Sequence, residues 1–271
     1  MSSFPLLAFL MVFALPAAAQ GQSDVPSANP GRPTVSTPAT LTPVGYLQFE
    51  TGYLGAWRSP GISSQSGMNE VVKFSPCKRL QLLVGDEPFA HSRIAGQSSD
   101  DAGGVSLGVQ GVIYEGEGSR PTIALSYFHS VYGGDAPDLD IGSATNSALI
   151  LFSADVKGFH YDTNYLFNEV TDSGISRAQF GQTLSISHPL GKAFGLSGEI
   201  WHFTQPFLRG RAVGNLWALN YNLRRNLVLD AGFNRGLTTT STRWEVFAGF
   251  TYLLPRKLLP PRRRSSATSA F

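Results

Sequence analysis

The 271-residue sequence predicts an all-β protein, a closed antiparallel up-and-down transmembrane β-barrel of about 12 strands, within a range of about 10 to 14. Three observations predict this fold. Hydrophobic and polar residues alternate with a period of two in many segments, the connections between segments alternate in length, and aromatic residues gather near segment ends. Charged residues make up only 15% of the chain, against about 25% in a typical soluble protein.

The stretch FHYDTNYLFNE, residues 159–169, shows the alternation most clearly. One parity is largely aromatic: Phe159, Tyr161, Tyr165 and Phe167. The other parity is largely polar: His160, Asp162, Asn164 and Asn168. Successive side chains of a strand point to opposite faces. This strand therefore has one face of rings and one face that requires water or hydrogen-bond partners.

Similar alternation recurs between Val44 and Leu254, where no convincing helical periodicity is found. The clear segments begin near Leu47, Leu80, Val105, Thr122, Ala148, Phe159, Arg177, Trp217, Leu227 and Arg243. Residues 68–75 and 193–205 are weaker candidates, because the first segment is short and the second has no clean parity. Together these segments account for the predicted strand number.

The connections between the segments fall into two sets that alternate along the chain. The predicted short connections are 75–78, 115–119, 157–158, 188–192 and 224–225. The predicted longer connections are 58–67, 89–102, 133–145, 170–174, 205–211 and 237–241. Tight turns at one rim and longer loops at the other are typical of an outer-membrane barrel.

The properties of a bilayer predict which parity of each strand faces lipid and which faces the barrel interior. Strands of about 10 residues tilted near 45° span the hydrocarbon core, and rings near strand ends match the aromatic girdles of such barrels. An open edge would leave backbone groups unpaired in lipid, so the sheet must close. The predicted lipid-facing aromatic girdle is Phe49, Tyr53, Trp57, Phe159, Tyr161, Tyr165, Phe167, Trp217, Tyr221, Trp244, Phe250 and Tyr252.

The polar parity is predicted to face a wet lumen. The candidate lumen-lining residues are Gln48, Glu50, His160, Asp162, Asn164, Glu199, Asp230, Arg243 and Glu245. Both signs of charge occur among them, which predicts ion pairs that narrow the passage. A barrel of about 12 strands is intermediate between filled and open barrels. We therefore expect a narrow pore, partly plugged by the leader or by a folded-in loop.

The N-terminal segments are predicted to differ from the barrel. Residues 1–19 are predicted to be a cleaved secretory signal peptide, because a short apolar stretch precedes the small residues Ala17 and Ala19. Residues 20–43 are predicted to be a Pro-rich extended leader, because five prolines prevent a helix and little can be buried. The barrel is predicted to occupy residues 44–254.

Residues 255–271 are predicted to be a basic, disordered C-terminal tail. Outer-membrane barrels usually end at their last strand with an aromatic residue. Here the last predicted strand stops near Leu254, and the residues before the terminal Phe271 do not alternate. Either Phe250 and Tyr252 serve internally as the insertion signal, or this last strand is misplaced.

The sequence contains few patterns typical of catalysis or metal binding. Gly104, Ser106 and Gly108 fit the G-x-S-x-G hydrolase pattern, but they lie in an alternating strand with no following helix. His160 and Asp162 would share a lumen face, as a catalytic dyad or any polar pore wall would. The five histidines are scattered without metal-binding spacing. We predict no catalytic residue, no metal and no cofactor.

Three stretches resemble a family of bacterial outer-membrane barrels. They are RPTVSTPATLTPVGYLQFETGY from residue 32, NEVVKFSPCKRLQLLVGDEPFA from residue 69, and DAGFNRGLTTTSTRWEVFAGFTYLLP from residue 230. The family is named for the meta-cleavage pathway of phenol degradation, and its members are described as transporters or porin-like proteins. The resemblance covers nearly the whole mature chain. It implies an outer-membrane pore, and the family name points to small aromatic or other hydrophobic solutes.

The sequence therefore predicts a monomeric porin-like transporter in the outer membrane of a Gram-negative cell envelope. The expected partners are outer-membrane lipid, a small-molecule solute and, during insertion, the barrel-assembly machinery. Nucleic acid is not expected, because basic residues do not gather in a stripe with aromatics. Three alternatives stay open: a barrel enzyme acting on lipids near Ser106 or His160, a surface barrel that binds a partner through its loops, and an exported soluble sandwich or lipocalin-like barrel.

Overall fold

The structure is a computed structural model, and it describes residues 25–137, 139 and 144–259. The predicted signal peptide, residues 1–19, lies outside the described residues, as do residues 260–271 of the predicted tail. Over the described ranges, the regular elements are β-strands. No helix in this part of the chain is long and apolar enough to cross a membrane.

Thirteen β-strands follow one another along the described chain. They are β1 (Leu47–Ser59), β2 (Ile62–Cys77), β3 (Leu80–Ile94), β4 (Gln97–Asp101), β5 (Val105–Tyr114), β6 (Thr122–Tyr132), β7 (Ala144–Val156), β8 (Phe159–Asp172), β9 (Ile175–Leu190), β10 (Phe194–Gln205), β11 (Gly210–Arg224), β12 (Leu227–Gly236) and β13 (Trp244–Leu253). The short strand β4 pairs with the last residues of β3 as a hairpin. The other twelve strands build the wall.

The wall is a closed antiparallel barrel. Neighbours in sequence are neighbours in space, except that β3 pairs with β5 across the β4 hairpin. The cylinder closes where β1 pairs with β13, from Gln48 opposite Leu253 to Trp57 opposite Trp244. Closure leaves no open edge in the wall. The predicted up-and-down barrel of about 12 strands is confirmed.

Both weak strand candidates of the sequence are long strands. Residues 68–75 belong to the 16-residue β2, and residues 193–205 correspond to the 12-residue β10. The predicted loop at 58–67 is wrong, because β1 and β2 meet at a turn of Pro60 and Gly61, where Gly61 has a φ of 79°. The polar residues that suggested a loop alternate between buried and exposed positions in β2.

The two rims differ less in connection length than the sequence predicts. The turn rim carries connections 78–79, 115–121, 157–158, 191–193 and 225–226. The loop rim carries 60–61, 95–96 with 102–104 around the β4 hairpin, 133–143, 173–174, 206–209 and 237–243. The predicted loop at 89–102 is instead the β3–β4 hairpin, because positive φ values at Ala95 and Gly96 allow a tight turn.

The wall has an apolar outer face and a mixed inner face. Large apolar side chains on the outside are widely exposed, among them Leu82, Leu107, Ile200, Trp217 and Leu219. The residues between them are buried, and many of these are polar. The inner face also holds an apolar cluster that contains Leu149, Leu151, Leu166, Trp201 and Phe203.

Glycines on the inner wall make room for the two buried rings. A Cβ atom at Gly181 of β9 would overlap the Phe203 ring, and one at Gly214 of β11 would overlap the Trp201 ring. Both rings are almost completely buried, with exposed fractions of 0% and 2% respectively. The absence of side chains at these glycines therefore fixes how β10 packs inside the barrel.

Replacing Gly181 by Ala is expected to destabilise the barrel by about 1–3 kcal/mol, because the enclosed Phe203 ring has no space to shift. The measurement is urea-induced unfolding of the protein folded in detergent or lipid. Gly195→Ala is the matched control, because the nearest atoms to a Cβ there are 3.9 Å away, and its effect should stay within about 0.5 kcal/mol. Equal effects of the two substitutions would contradict this packing.

Candidate functional site in the barrel lumen

The described part of the leader lies inside the barrel and follows its inner wall. Near the turn rim, the Ala28 amide donates a hydrogen bond to the Arg225 carbonyl at 2.8 Å. The chain returns to the same rim, where the Gly45 amide donates to the Ser75 carbonyl at 2.8 Å. Residues 29–42 between these points are called the strap. Residues 44–46 then lead into β1.

The strap begins on a charged group of β1. The Asn29 amide donates to Gln48 Oε1 at 2.9 Å, and the Gly31 amide donates to Glu50 Oε1 at 2.9 Å. Lys73 Nζ of β2 also contacts Glu50 Oε1, at 2.6 Å, and the two side chains are 6% and 3% exposed. The buried carboxylate of Glu50 is thus paired with a cation and accepts a bond from the strap backbone, as a buried charge requires.

The Arg32 side chain of the strap packs against two wall glycines and pairs with a carboxylate. Its guanidinium contacts Asp230 of β12, with Nη2 to Oδ1 at 3.1 Å and Nε to Oδ2 at 3.3 Å. Gly52 of β1 and Gly249 of β13 lie opposite each other in the sheet. A Cβ atom at either glycine would crowd the guanidinium, so side chains there would displace Arg32 from its two-point contact with Asp230.

Glu199 of β10 holds the middle of the strap. Its carboxylate accepts hydrogen bonds from the amides of Val35 and Ser36, both at 2.7 Å, and from Ser36 Oγ at 2.6 Å. Ser36 Oγ also lies 2.8 Å from Thr183 Oγ1 of β9. Glu199, Ser36 and Thr183 are all buried. One side chain therefore satisfies two consecutive backbone donors that have no sheet partner.

The second half of the strap continues around the wall. Asn164 of β8 forms a two-way pair with Thr37, accepting from its amide at 2.6 Å and donating to its carbonyl at 2.9 Å. The Ala39 amide donates to Ser153 Oγ of β7 at 2.7 Å. The remaining contacts are Gln110 of β5 with the carbonyls of Pro38 and Ala39, and Thr42 with Gln81 of β3 and Ser75 of β2.

The order of these contacts describes the path of the strap. Successive strap residues bind β1, β12, β10, β8, β7, β5 and β3 in turn, which is their order around the cylinder. The strap also buries Ala39 within the inner apolar cluster, with Val35 and Leu41 packed against it. It therefore circles the inner wall and narrows the lumen on the side of the turn rim.

A chain of hydrogen bonds and ion pairs connects the strap to the turn rim. Ser153, which accepts the Ala39 amide, donates to Asp162 Oδ1 at 2.5 Å. Asp162 Oδ2 lies 3.2 Å from His160 Nε2, and His160 Nδ1 lies 2.8 Å from Asp155 Oδ1. His160 is thus held between two carboxylates, which fixes the orientation of its ring.

A cavity of about 350 Å³ lies on the other side of the strap, toward the loop rim. Its floor includes strap residues 32–35. Side chains from β1, β2, β3, β10, β11, β12 and β13 form its walls: Leu54, Gln65, Asn69, Glu87, Trp201, Leu216, Asn234, Glu245 and Phe247. Pro137 and Leu139 of the 133–143 connection lie at its edge. We call this space the vestibule.

The structure separates the candidate lumen-lining residues into three groups. Six are buried and have polar contacts on the inner wall or with the strap: Gln48, Glu50, Asp162, Asn164, Glu199 and Asp230. His160 and Glu245 are partly buried. Arg243 is exposed and precedes β13 in the 237–243 connection.

The predicted girdle residues lie on the outer parity of their strands. Eight are exposed: Tyr53, Trp57, Phe159, Tyr165, Phe167, Trp217, Trp244 and Phe250. Four are partly exposed: Phe49, Tyr161, Tyr221 and Tyr252. Neighbouring rings contact one another across strands, as do Phe167 and Phe180 with ring centroids 5.6 Å apart. Trp201, Phe203 and Phe247 are instead buried inside, so rings are not confined to the outer face.

The site also contains residues that the sequence analysis does not select. Arg32, Ser36, Lys73, Ser153 and Trp201 contribute to the strap contacts or the vestibule. The polar parity of the strands gives a signal for Lys73 and Ser153. No such signal exists for Arg32 and Ser36, because the leader has no period of its own.

The residues considered for catalysis, Ser106 and His160, have separate hydrogen-bond partners. Ser106 Oγ donates a long bond of 3.5 Å to the Gly85 carbonyl, and the hydrogen-bond partners of His160 are carboxylates. Among residues 25–137, 139 and 144–259, no group of three His, Cys, Asp or Glu side chains is placed to hold a metal ion. Cys77 is exposed at the end of β2.

Comparison with known proteins finds similar folds among solved outer-membrane channels and porins. No protein-family model and no curated protein sequence matches the chain. An outer-membrane channel from Pseudomonas putida F1 is similar in structure, with a TM-score of 0.59 and 10% identity over 84% of this chain and 100% of that one. The NanC porin (TM-score 0.53, 10% identity, 77% and 100% covered) and the KdgM porin (0.53, 9%, 76% and 98%) are also similar.

The chain therefore has the fold of outer-membrane channels. At sequence identities near 10%, this structural similarity shows the fold alone. Membership of the family named for the meta-cleavage pathway stays a prediction.

Replacing Glu199 by Ala is expected to loosen the strap while leaving the wall intact, because two backbone donors and one hydroxyl lose their acceptor. Each buried donor without a partner costs about 1–3 kcal/mol, so hydrogen exchange of the amides of residues 35–37 should accelerate at least about tenfold. Mass spectrometry of peptides covering the strap measures this exchange.

Asn168→Ala is the matched control, because Asn168 bonds Gln179 across two wall strands at 3.0 Å. It should leave exchange in the strap unchanged. If Glu199→Ala accelerated exchange equally in the strap and in every wall strand, or nowhere, the proposed anchoring role of Glu199 would be incorrect.

Proposed function

We propose that this protein is a porin-like transporter of the outer membrane that passes small solutes through its lumen. The proposal rests on one observation: the wall is closed, and its outer and inner faces have opposite chemical character. Its outer face exposes large apolar side chains, many of them rings, along most wall strands, and its inner face buries hydrogen-bonding groups. An apolar belt of this kind is stable in acyl chains and unfavourable in water.

The solutes are proposed to be small, with aromatic or other hydrophobic ones included. The strap narrows the lumen near the turn rim, which excludes large substrates. The vestibule offers the apolar side chains Leu54, Trp201, Leu216 and Phe247 to a solute. Sites that take small molecules commonly combine such apolar walls with a few polar groups.

Passage is proposed to require movement of the strap. The strap is attached through the Arg32–Asp230 ion pair and through separate hydrogen bonds between its residues and wall side chains, not through a sheet ladder. Such bonds can be exchanged for water one at a time, and each contributes about 0.5–1.5 kcal/mol, or more where a charged group takes part. The wall ladders, in contrast, stay closed throughout.

The location and assembly of the protein follow from the same proposal. Residues 1–19 would direct export, and the barrel-assembly machinery would insert the wall in the outer membrane. The short turns would face the periplasm and the loop rim the outside, as in barrels of this type. In that orientation both ends of the strap lie at the periplasmic rim, and the vestibule opens to the exterior.

A disulfide between strap and wall tests whether passage requires the strap to move. The pair Ser36→Cys and Thr183→Cys replaces two hydroxyls that are 2.8 Å apart, which is within disulfide reach; Cys77→Ser is included in all variants. In planar bilayers the oxidised protein should conduct at least about tenfold less than the same protein after reduction. Ion current or uptake of a small solute by vesicles is the measurement.

The matched control links two wall strands without touching the strap. Asn168→Cys with Gln179→Cys joins residues that face each other on β8 and β9, and its oxidation should leave conductance unchanged. Equal conductance of the oxidised and reduced strap disulfide would refute strap movement. A correctly folded wild-type protein that neither conducts nor speeds solute uptake would refute the transport proposal itself.

A further inference from the structure

We infer that the turn rim of the barrel carries a ring of cations that binds the phosphate head groups of anionic phospholipids in the adjacent leaflet. This inference rests on the membrane location given under the proposed function, and it is independent of solute passage. It depends on three observations: cations occur at every connection of this rim, they have no carboxylate partners in the described chain, and exposed apolar side chains lie beside them.

The cations are distributed around the whole turn rim. One or two exposed Lys or Arg residues lie at each connection of this rim and after β13: Lys78, Arg79, Arg120, Lys157, Lys192, Arg224, Arg225, Arg256 and Lys257. We call these residues the cation ring. Because the strands that they connect follow one another around the cylinder, the cation ring surrounds the barrel and is not a patch on one side.

The charge of the cation ring is not offset within the described part of the protein. The carboxylates described at this rim are Glu115, Glu117 and Asp155, and Asp155 already contacts His160 Nδ1 at 2.8 Å. No side chain of the cation ring forms an ion pair with a described carboxylate. The turn rim therefore has an excess of exposed positive charge.

The opposite rim has a different balance of charge. The charged residues described in its connections are Asp135, Arg209 and Arg243. The strand ends beside these connections carry further exposed carboxylates, among them Asp100 and Asp172. Basic residues at the loop rim thus lie among acidic ones, and the excess of cations belongs to the turn rim.

The cation ring borders the apolar outer surface of the wall. Exposed apolar side chains lie one or two residues from its members: Leu80, Phe159, Phe194, Leu223 and Leu258. Lys and Arg side chains at such a boundary lay their apolar stems along the hydrocarbon and place their charged ends at the membrane surface. In a bilayer that covers the apolar wall, the cation ring therefore lies at the depth of the lipid head groups.

Anionic phospholipids match this arrangement better than an acidic macromolecule does. Basic residues close to a membrane surface attract anionic lipids, and a guanidinium can bind a phosphate through two hydrogen bonds. A zwitterionic lipid has the same phosphate, but its own ammonium group offsets the charge. Cations spread around a cylinder can each contact a separate small lipid, whereas a single macromolecular partner would favour a patch on one side.

The preference for anionic lipid is measured by electron spin resonance of spin-labelled lipids. Spin-labelled phosphatidylglycerol or phosphatidylcholine is added in trace amounts to phosphatidylcholine bilayers that contain the full-length folded protein. At low ionic strength, phosphatidylglycerol should associate with the barrel at least about threefold more strongly than phosphatidylcholine. Sodium chloride at about 1 M should remove most of this preference, because it screens exposed charges.

A variant assigns the preference to the cation ring. It combines five exposed substitutions: Lys78→Gln, Arg79→Gln, Lys192→Gln, Arg224→Gln and Arg225→Gln. The preference for phosphatidylglycerol at low ionic strength should fall to less than about half of the wild-type value, because more than half of the ring charge is removed.

The matched control removes the same number of exposed positive charges from the loop rim. It combines Arg58→Gln, Arg93→Gln, Arg209→Gln, Arg211→Gln and Arg243→Gln. This variant should change the preference by less than about 1.5-fold, because exposed carboxylates at that rim already oppose its cations. The salt dependence of the wild type tests the inference without any variant.

Equal association of the two lipids with the wild type would overturn the inference, as would equal effects of the two variants. Without a lipid preference, binding of soluble polyglutamate to the wild type but not to the ring variant would assign the cation ring to an acidic polymer, which also overturns it. A protein that conducts but shows no lipid preference would refute this inference alone. A protein that prefers phosphatidylglycerol as expected but never conducts would refute the transport proposal and support the cation ring.

Discussion

The strict alternation of side chains along closed strands is the constraint on which the rest of this molecule depends. Each wall residue faces either outward or inward, and a shift by one residue would exchange the two environments. Closure through the β1–β13 pair fixes this register all around the cylinder. The exposed rings of β8 and the buried Asp162 and Asn164 on the same strand follow from this one rule.

The inner face contains buried polar groups whose hydrogen-bond partners are not all supplied by the wall. Glu50, Asn164, Glu199 and Asp230 are buried polar groups that need partners, and the strap supplies amides, a carbonyl and a guanidinium to them. The strap in turn has no sheet to satisfy its backbone, so the two parts complete each other. The vestibule lies over strap residues 32–35, with wall side chains around it. Its size and chemistry are thus set jointly by leader and wall.

Much of the wall could be predicted from the sequence, whereas the strap contacts could not. The parity of β8 and the buried Gln48, Glu50 and Asp230 follow from local alternation. The partners of the strap do not, because Arg32 and Asp230 are 198 residues apart and only the closed barrel brings them together. Trp201 has the parity of Glu199 on β10, but the space that accommodates its ring is at Gly214 on the neighbouring strand, which local alternation does not reveal.

Quenching of single tryptophans by brominated lipid tests most directly the assignment of the two faces. Trp217 of β11 is 48% exposed on the outer face, and Trp201 of the adjacent β10 is 2% exposed on the inner face. Two proteins are compared, each retaining one of these tryptophans with the other three replaced by Phe, in bilayers with and without bromine on the acyl chains. We expect strong quenching of Trp217 and little quenching of Trp201. Equal quenching of both tryptophans, or quenching of neither, would show that the two faces are assigned incorrectly.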